Sequence, residues 1–138
     1  MHMKSHKLGW LFPALIVLIN AIAVLVSWGS LPETLPAHFD LQGNPGGEMS
    51  RNMLLIYLGV STAICLVIYG MSLLTKKKLV KCGLAILASG IALVIFCSTM
   101  VTLTTGKTPF FMLAEPFILL LAIAGLVICL VKARKQTE

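Results

Sequence analysis

Four long apolar runs dominate this chain, and each is long enough to cross a lipid bilayer. They cover residues 9–29, 53–74, 79–103 and 110–131. A helix of about 20 mostly apolar residues spans a hydrocarbon core about 30 Å thick. Because lipid offers no partner to backbone N–H and C=O groups, and the runs lack the alternation of barrel strands, we expect helices. The sequence predicts one all-α polytopic membrane domain over 1–138, a bundle of four transmembrane helices.

The composition excludes an ordinary soluble domain and gives no sign of nucleic-acid binding. Hydrophobic residues make up 58% of the chain and charged residues 12%, with a mean hydropathy of +0.96, whereas about a quarter of a soluble domain is charged. The net charge of +6 comes from residues beside the apolar runs, where attraction to anionic lipid explains them. The bilayer is therefore the expected environment, and nucleic acid is not an expected partner.

The distribution of basic residues predicts the orientation. Basic residues concentrate in loops on the cytoplasmic side of a membrane. Arg51 and Lys107 lie on one side of the predicted bundle, and nine basic residues lie on the other: Lys4, Lys7, Lys76, Lys77, Lys78, Lys81, Lys132, Arg134 and Lys135. We expect a multi-pass protein of the cell membrane with both termini in the cytoplasm and the 30–52 loop outside.

The cysteines and the motif content argue against a metal cofactor and against an enzyme. Cys65, Cys82, Cys97 and Cys129 all lie in predicted helices without Cys-x-x-Cys spacing, so they predict neither a disulfide framework nor a zinc site. The zinc-protease, nucleophile-elbow and phosphate-binding motifs are also absent from the sequence. We predict no cofactor, no catalytic residues and no enzymatic activity.

The 30–52 loop carries most of the polar chemistry. Pro32 and Pro36 favour an extended arm leaving the membrane. The stretch 44–47 reads Asn-Pro-Gly-Gly, which predicts a turn and a short hairpin-like excursion. His38 and Asp40 are two residues apart, so on a strand they share one face. They are candidates for loop seating through backbone hydrogen bonds, and weaker candidates for a metal or ligand.

Two polar residues lie inside the apolar runs. Glu115 is expensive in hydrocarbon, so it should face the bundle or water, and Lys107, Arg51 or His38 could pair with it. It could anchor the outer loop through an ion pair, or belong to a proton, ion or ligand site. Asn20 is expected to hydrogen-bond between helices. Small residues on the last two runs predict close packing there; they are Gly83, Ala85, Ser89, Gly90, Ala92, Ala122, Ala124 and Gly125.

The loop also carries a recognisable motif, made of Leu31-Pro32, Leu35-Pro36, His38-Phe39, Gly43-Asn44-Pro45 and Ser50-Arg51. It resembles the signature of a family of bacterial membrane proteins of unknown function, whose domain forms the N-terminal part of SdpI-type immunity proteins. Those proteins protect a producer cell from a membrane-active peptide toxin. Gly46 replaces the family's Asp and Arg51 its Lys, and the C-terminal signature of full SdpI-type proteins is not present.

Together these features predict a non-enzymatic binding or immunity-type protein of the bacterial cytoplasmic membrane. The expected binding or loop-seating residues are His38, Asp40, Glu48, Arg51 and Glu115. The resemblance implies a peptide toxin as the partner; another membrane protein or a homo-oligomer is left open. The alternative is a subunit of a small transporter or channel that uses Glu115, with Asn20 lining a path. A binding role predicts an outer cleft between the loop and the helix ends, whereas transport predicts a polar path past both residues.

Overall fold

The computed structural model describes residues 4–40, 42, 44–107 and 109–136. The described part of the chain holds four long helices, α1 (Lys4–Ser27), α2 (Met53–Leu74), α3 (Lys78–Leu103) and α4 (Pro109–Lys135). Between α1 and α2 lie a 3-10 turn (Trp28–Ser30) and an antiparallel hairpin of β1 (Thr34–Phe39) and β2 (Pro45–Ser50). All four helices are long and apolar enough to cross a membrane, so the predicted polytopic fold is confirmed.

The predicted helix bounds need changes mainly at the two terminal helices. The first begins at Lys4 rather than at residue 9, and α4 continues to Lys135 rather than ending at 131. The last turn of α4 contains Lys132, Arg134 and Lys135. Cations are favourable at the negative end of a helix dipole, so the helix continues through residues that a hydropathy criterion excludes.

Helix α3 is the centre of the bundle. The other three long helices pack against α3, and α1 also packs against α2. Within the described residues, α4 makes its extensive contact with α3 alone. This arrangement leaves a groove on either side of the α3–α4 contact, one toward α2 and one toward α1.

Small residues bring α3 and α4 close together. The Cα of Gly90 lies against Ala122, so that a Cβ at position 90 would overlap the Ala122 methyl. A Cβ at Gly83 would lie 3.0 Å from the Cβ of Cys129, and one at Gly125 would lie 2.9 Å from Cγ2 of Ile86. The predicted close packing is therefore present at these glycines. Ala124, which was included in the prediction, is exposed instead.

The two ends of the bundle differ in character. The start of α1 meets the end of α2, where the Trp10 and Tyr69 rings have centroids 5.0 Å apart, and the Gly83–Cys129 contact brings the start of α3 to the end of α4. We call this the lysine-rich end, since it carries the 76–81 lysines. The opposite end, with the hairpin, is the hairpin end.

The hairpin forms as predicted but turns earlier in the sequence. The turn joins Phe39 to Pro45, and the N–H of Asp40 donates to the carbonyl of Asn44 at 3.0 Å. The stretch expected to turn instead supplies Pro45 and Gly46 to β2. Pro45 is tolerated there because the first residue of a strand on a sheet edge needs no N–H. Gly43 of the recognised motif lies outside the described residues.

Buried side chains fix the hairpin to the helices. Leu35 of β1 is almost fully buried against Val24 of α1 and Leu54 of α2. Met49, which pairs with Leu35 across the hairpin, packs on the same cluster together with Leu103 of α3. The hairpin therefore lies on the ends of three helices, with one face toward the bundle and the other exposed.

Candidate functional site

A cleft of about 480 Å³ opens beneath the hairpin, between α2 and α4, with α3 as its floor. Hairpin residues 37–39 form one wall. The helices contribute Tyr57, Val60, Ile95, Ser98, Val101, Thr102, Met112 and Glu115. The cleft is therefore mostly apolar, with one carboxylate and two hydroxyls on its α3 and α4 walls. Pockets of this size and composition are typical of small-ligand or side-chain binding.

Glu115 is the charged group of the helical walls. Its Oε1 accepts a hydrogen bond from the Ser98 hydroxyl at 2.8 Å, which joins α4 to α3. The expected ion pair with Lys107 or Arg51 is not formed within the described residues, so that prediction is wrong. A hydroxyl satisfies one of about four acceptor positions of a carboxylate. Glu115 lines the cleft, and the Ser98 hydroxyl is the hydrogen-bond partner that the described structure gives it.

His38 contributes to the cleft wall, but its ring lies on the other side of the hairpin. Strand side chains alternate, and Leu35 marks the face of β1 that is buried on the helices. Ala37 shares that face, whereas His38 belongs to the opposite one and pairs with Gly46. A Cβ at Gly46 would overlap the imidazole. The ring therefore covers the Gly46 backbone and does not pair with Glu115.

Asp40 organises the turn. Its Oδ1 accepts from the backbone N–H groups of Gln42 at 2.9 Å and Asn44 at 2.8 Å, and its Oδ2 accepts from the Asn44 side-chain amide at 2.8 Å. This is an Asx-type turn, in which an aspartate replaces backbone acceptors. It explains why the chain turns here and not at the Pro-Gly pair. Asp40 thus holds the loop's own turn, and a role in seating the loop on the helix ends stays a prediction.

His38 and Asp40 were candidates for a metal site, but such a site needs further ligands close to both side chains. Within the described residues, no group of three or more His, Cys, Asp or Glu side chains is placed to hold a metal ion. Both Asp40 oxygens are already engaged with the turn. The Asp40 carboxylate is directed into its own turn, and it is not joined there by the His38 ring, which lies over Gly46.

Arg51 and Glu48 lie outside the cleft. The Arg51 guanidinium stacks over the Trp28 ring, 5.2 Å from its centroid, and donates to the Leu31 carbonyl at 3.4 Å. Its backbone N–H donates to the Glu33 carbonyl at 2.9 Å. Arg51 therefore ties the end of the hairpin to the 3-10 turn and the short segment that follow α1. Glu48 is exposed on β2 opposite Pro36, so it neither seats the loop nor lines the cleft.

Asn20 is buried in the middle of α1, with 2% of its surface exposed. Its Oδ1 has no hydrogen-bond partner among the described residues. The interhelical hydrogen bond expected of Asn20 is therefore not formed at this atom. Asn20 also does not line the cleft that contains Glu115, so these two polar residues do not share one path in the cleft.

Ser98 is the functional residue that the sequence did not identify. Hydroxyls are common in α3, and Thr99, Thr102 and Thr104 donate to carbonyls of their own helix, which is the usual role of Ser and Thr in membrane helices. Nothing in the sequence separates Ser98 from these neighbours. Its pairing with Glu115 depends on the contact between α3 and α4, which sequence spacing alone does not give.

Comparison with known proteins identifies one similar segment. Residues 15–62 match the family described as Domain of unknown function (DUF1648). No curated protein and no solved structure matches the chain. The matched segment runs from α1 through the hairpin into α2 and so contains one side of the cleft. Ser98 and Glu115 lie beyond it, and the comparisons supply no link to immunity proteins.

Proposed function

We propose that this small integral membrane protein is a non-enzymatic binding protein of the immunity type, whose cleft takes up a cationic group of a membrane-active peptide. The observation that carries the proposal is the cleft at the hairpin end, apolar on its walls and bearing the Glu115 carboxylate. The resemblance of the hairpin to the N-terminal domain of SdpI-type proteins supports the same class of function.

The charges favour a cation as the ligand group. A carboxylate within a membrane span is costly by about a few kcal/mol unless a cation or hydrogen bonds compensate it. Glu115 has the Ser98 hydroxyl as its described partner. The 30–52 segment adds three carboxylates, on Glu33, Asp40 and Glu48, against the single guanidinium of Arg51. A lysine or arginine of a peptide would be drawn to this end and would pair with Glu115.

The apolar walls favour an amphipathic ligand. Tyr57 and Met112 line the cleft from α2 and α4, together with Val60 and Ile95. An aromatic ring and a thioether adapt to irregular apolar side chains, and Tyr57 can also contact a cation with its ring face. A peptide that presents a basic residue beside apolar ones matches both features.

The hydroxyls of the cleft support binding rather than catalysis. Ser98 donates to Glu115, and Thr102 donates to the Ser98 carbonyl at 3.0 Å. A serine nucleophile in a hydrolase is usually activated by a histidine; Ser98 lies beside the Glu115 carboxylate, and the His38 ring lies over Gly46. We therefore propose no catalytic role. The separation of Asn20 from the cleft likewise favours binding over the alternative transport role.

We propose an orientation with both termini in the cytoplasm and the hairpin outside, on the basis of the nine basic residues at the lysine-rich end. A cleft at the hairpin end would then meet a peptide arriving from outside the cell. Capture there would prevent the peptide from inserting further into the bilayer. A purified peptide, without any second protein, is enough to test this partner.

The test is a survival assay joined to a binding assay. A sensitive bacterial host expressing the protein is challenged with a panel of cationic amphipathic peptides, and the most strongly countered peptide is then titrated against protein in nanodiscs. Glu115→Gln should abolish protection and weaken binding by about tenfold to a hundredfold, because a charged hydrogen bond contributes about 1.5–3 kcal/mol.

Glu48→Gln is the matched control, since it removes the same charge from an exposed position outside the cleft. It should retain protection at equal membrane levels. No protection by wild-type protein against any peptide would contradict the immunity role. If Glu115→Gln instead changed ion or proton flux through reconstituted vesicles, the transport alternative would replace it.

A further inference from the structure

A second groove lies on the opposite side of the α3–α4 contact, at the lysine-rich end. It encloses about 650 Å³ between α1 and α4, again with α3 as its floor. Small residues, among them Gly9, Ala85 and Gly90, let the helices approach while leaving an open channel between the larger side chains. Phe12 and Leu121 form its two rims and are exposed. The groove therefore opens sideways, toward the surrounding lipid of a spanning bundle.

Two lysines stand at the mouth of this groove. Lys78 and Lys81 both line it, at the first turn of α3. The described acids are Glu33, Asp40 and Glu48 of the hairpin segment and Glu115 in the other cleft. Within the described residues, neither lysine therefore has a carboxylate partner at its own end. The helix dipole of α3 adds positive potential at the same place, so the mouth of the groove attracts an anion.

We propose that this groove binds one anionic phospholipid. The phosphate lies between Lys78 and Lys81, and an acyl chain follows the groove along α3 past Ser89 toward Gly90. The charge at the mouth and the apolar channel below it are complementary to the two parts of such a lipid. Basic pockets between transmembrane helices are a known arrangement for anionic headgroups. A zwitterionic lipid would fill the channel equally well but would bring its own cation to the lysines.

The same site contains its own reporter. Trp10 lines the groove, and the chain has one other tryptophan, Trp28, at the hairpin end. The Trp28→Phe variant therefore leaves Trp10 as the single tryptophan, and a lipid with brominated acyl chains quenches its fluorescence when bound in the groove. The protein is reconstituted into vesicles of phosphatidylglycerol and phosphatidylcholine, with bromine placed on one lipid or the other at the same mole fraction.

We expect brominated phosphatidylglycerol to quench Trp10 as though it bound about fivefold to thirtyfold more tightly than phosphatidylcholine, since one or both lysines contribute about 1 kcal/mol each toward an anionic lipid. Adding Lys78→Gln and Lys81→Gln should bring the ratio to about one. Lys132→Gln with Lys135→Gln is the matched control, because it removes equal charge from the same end outside the groove. That variant should keep the preference.

A second variant tests the apolar channel of the groove without changing its charge. Ser89→Leu places a larger apolar side chain in the groove without changing any charge, and it should reduce quenching by both lipids while circular dichroism shows a folded protein. A wild-type ratio near one would overturn the proposal. So would an equal loss of preference in the Lys132 and Lys135 control, which would reveal general attraction of lipid to the basic end.

Discussion

The two grooves beside α4 have the same origin but opposite chemistry. Each exists because, within the described residues, α4 makes its extensive contact with α3 alone, so that the space toward α2 and the space toward α1 both remain open. The groove at the hairpin end contains Glu115 and is covered by the hairpin. The groove at the lysine-rich end has Lys78 and Lys81 at its mouth, and its described lining comes from helices α1, α3 and α4.

This difference shows how a small bundle can hold two unlike sites. Apolar packing decides where the spaces are, since the Gly90–Ala122 contact draws α4 onto α3 and away from the other helices. A small number of charged residues then decides which ligand is favoured in each space. Ser98, the partner of Glu115, lies near the end of α3, whereas Lys78 and Lys81 lie at its start, so the two sites can be altered independently.

The most direct way to break this comparison is to show that both grooves open to the same side of the membrane. Gln42 in the turn and Gln136 after α4 are exposed glutamines at opposite ends of the bundle. We expect Gln42→Cys to react with a membrane-impermeant maleimide in intact cells. Gln136→Cys should react with the same reagent only after the cells are permeabilised.

Labelling of the wild-type chain is measured as the background, because its four cysteines lie in the helices and Cys82 among them is exposed. The expected difference between the two variants is all or none. Labelling of Gln136→Cys in intact cells, with protection of Gln42→Cys, would reverse the proposed orientation and would place the acidic cleft toward the cytoplasm.

The next effect in size tests the contact that creates both grooves. Gly90→Ala inserts a Cβ that overlaps the Ala122 methyl, and we expect it to lower the free energy of unfolding by about 1–3 kcal/mol because close packing leaves no room. The measurement is thermal unfolding in detergent, followed by circular dichroism. Both grooves should lose their ligands together.

Gly59→Ala is the matched control for Gly90→Ala. A Cβ at Gly59 meets nothing within 4 Å, and the residue lies inside α2. Alanine has the higher helix propensity, so we expect stability to rise by up to about 1 kcal/mol. If both variants behaved alike, helix propensity rather than the α3–α4 contact would set the stability of the bundle.

The fold was largely accessible from the sequence, because hydrocarbon allows few structures for an apolar run of more than 20 residues. The bounds of α2 were predicted without error, and the hairpin was anticipated from its prolines and glycines. The turn was misplaced because the Asp40 carboxylate, with three hydrogen bonds to Gln42 and Asn44, outweighs the turn preference of a Pro-Gly pair.

The candidate site was harder to predict from the sequence than the fold, since it depends on which helices are in contact. Glu115 was identified by its cost in lipid, but its partner Ser98 is fixed by the α3–α4 register. Arg51 carries the opposite charge and was a reasonable partner, yet it stacks on Trp28 of the neighbouring 3-10 turn. His38 was expected beside Asp40 in the site, but strand alternation turns its ring to the outer face. The helices were predictable from the sequence, whereas the hydrogen bonds of the Asp40 turn and the pairing between helices were not.

The smallest expected effect comes from loosening the hairpin, which covers the cleft that contains Glu115 and whose described residues do not line the other groove. Asp40→Ala removes three exposed hydrogen bonds from the turn, and we expect hydrogen exchange of the β2 amides to accelerate by about tenfold, equivalent to about 1–2 kcal/mol of local stability. Glu48→Ala removes the same charge without touching the turn and should leave exchange unchanged. A looser hairpin should weaken peptide binding in the cleft by less than Glu115→Gln does, while the lipid preference reported by Trp10 stays constant. A change in that preference would mean that the two grooves are coupled through α3 rather than independent.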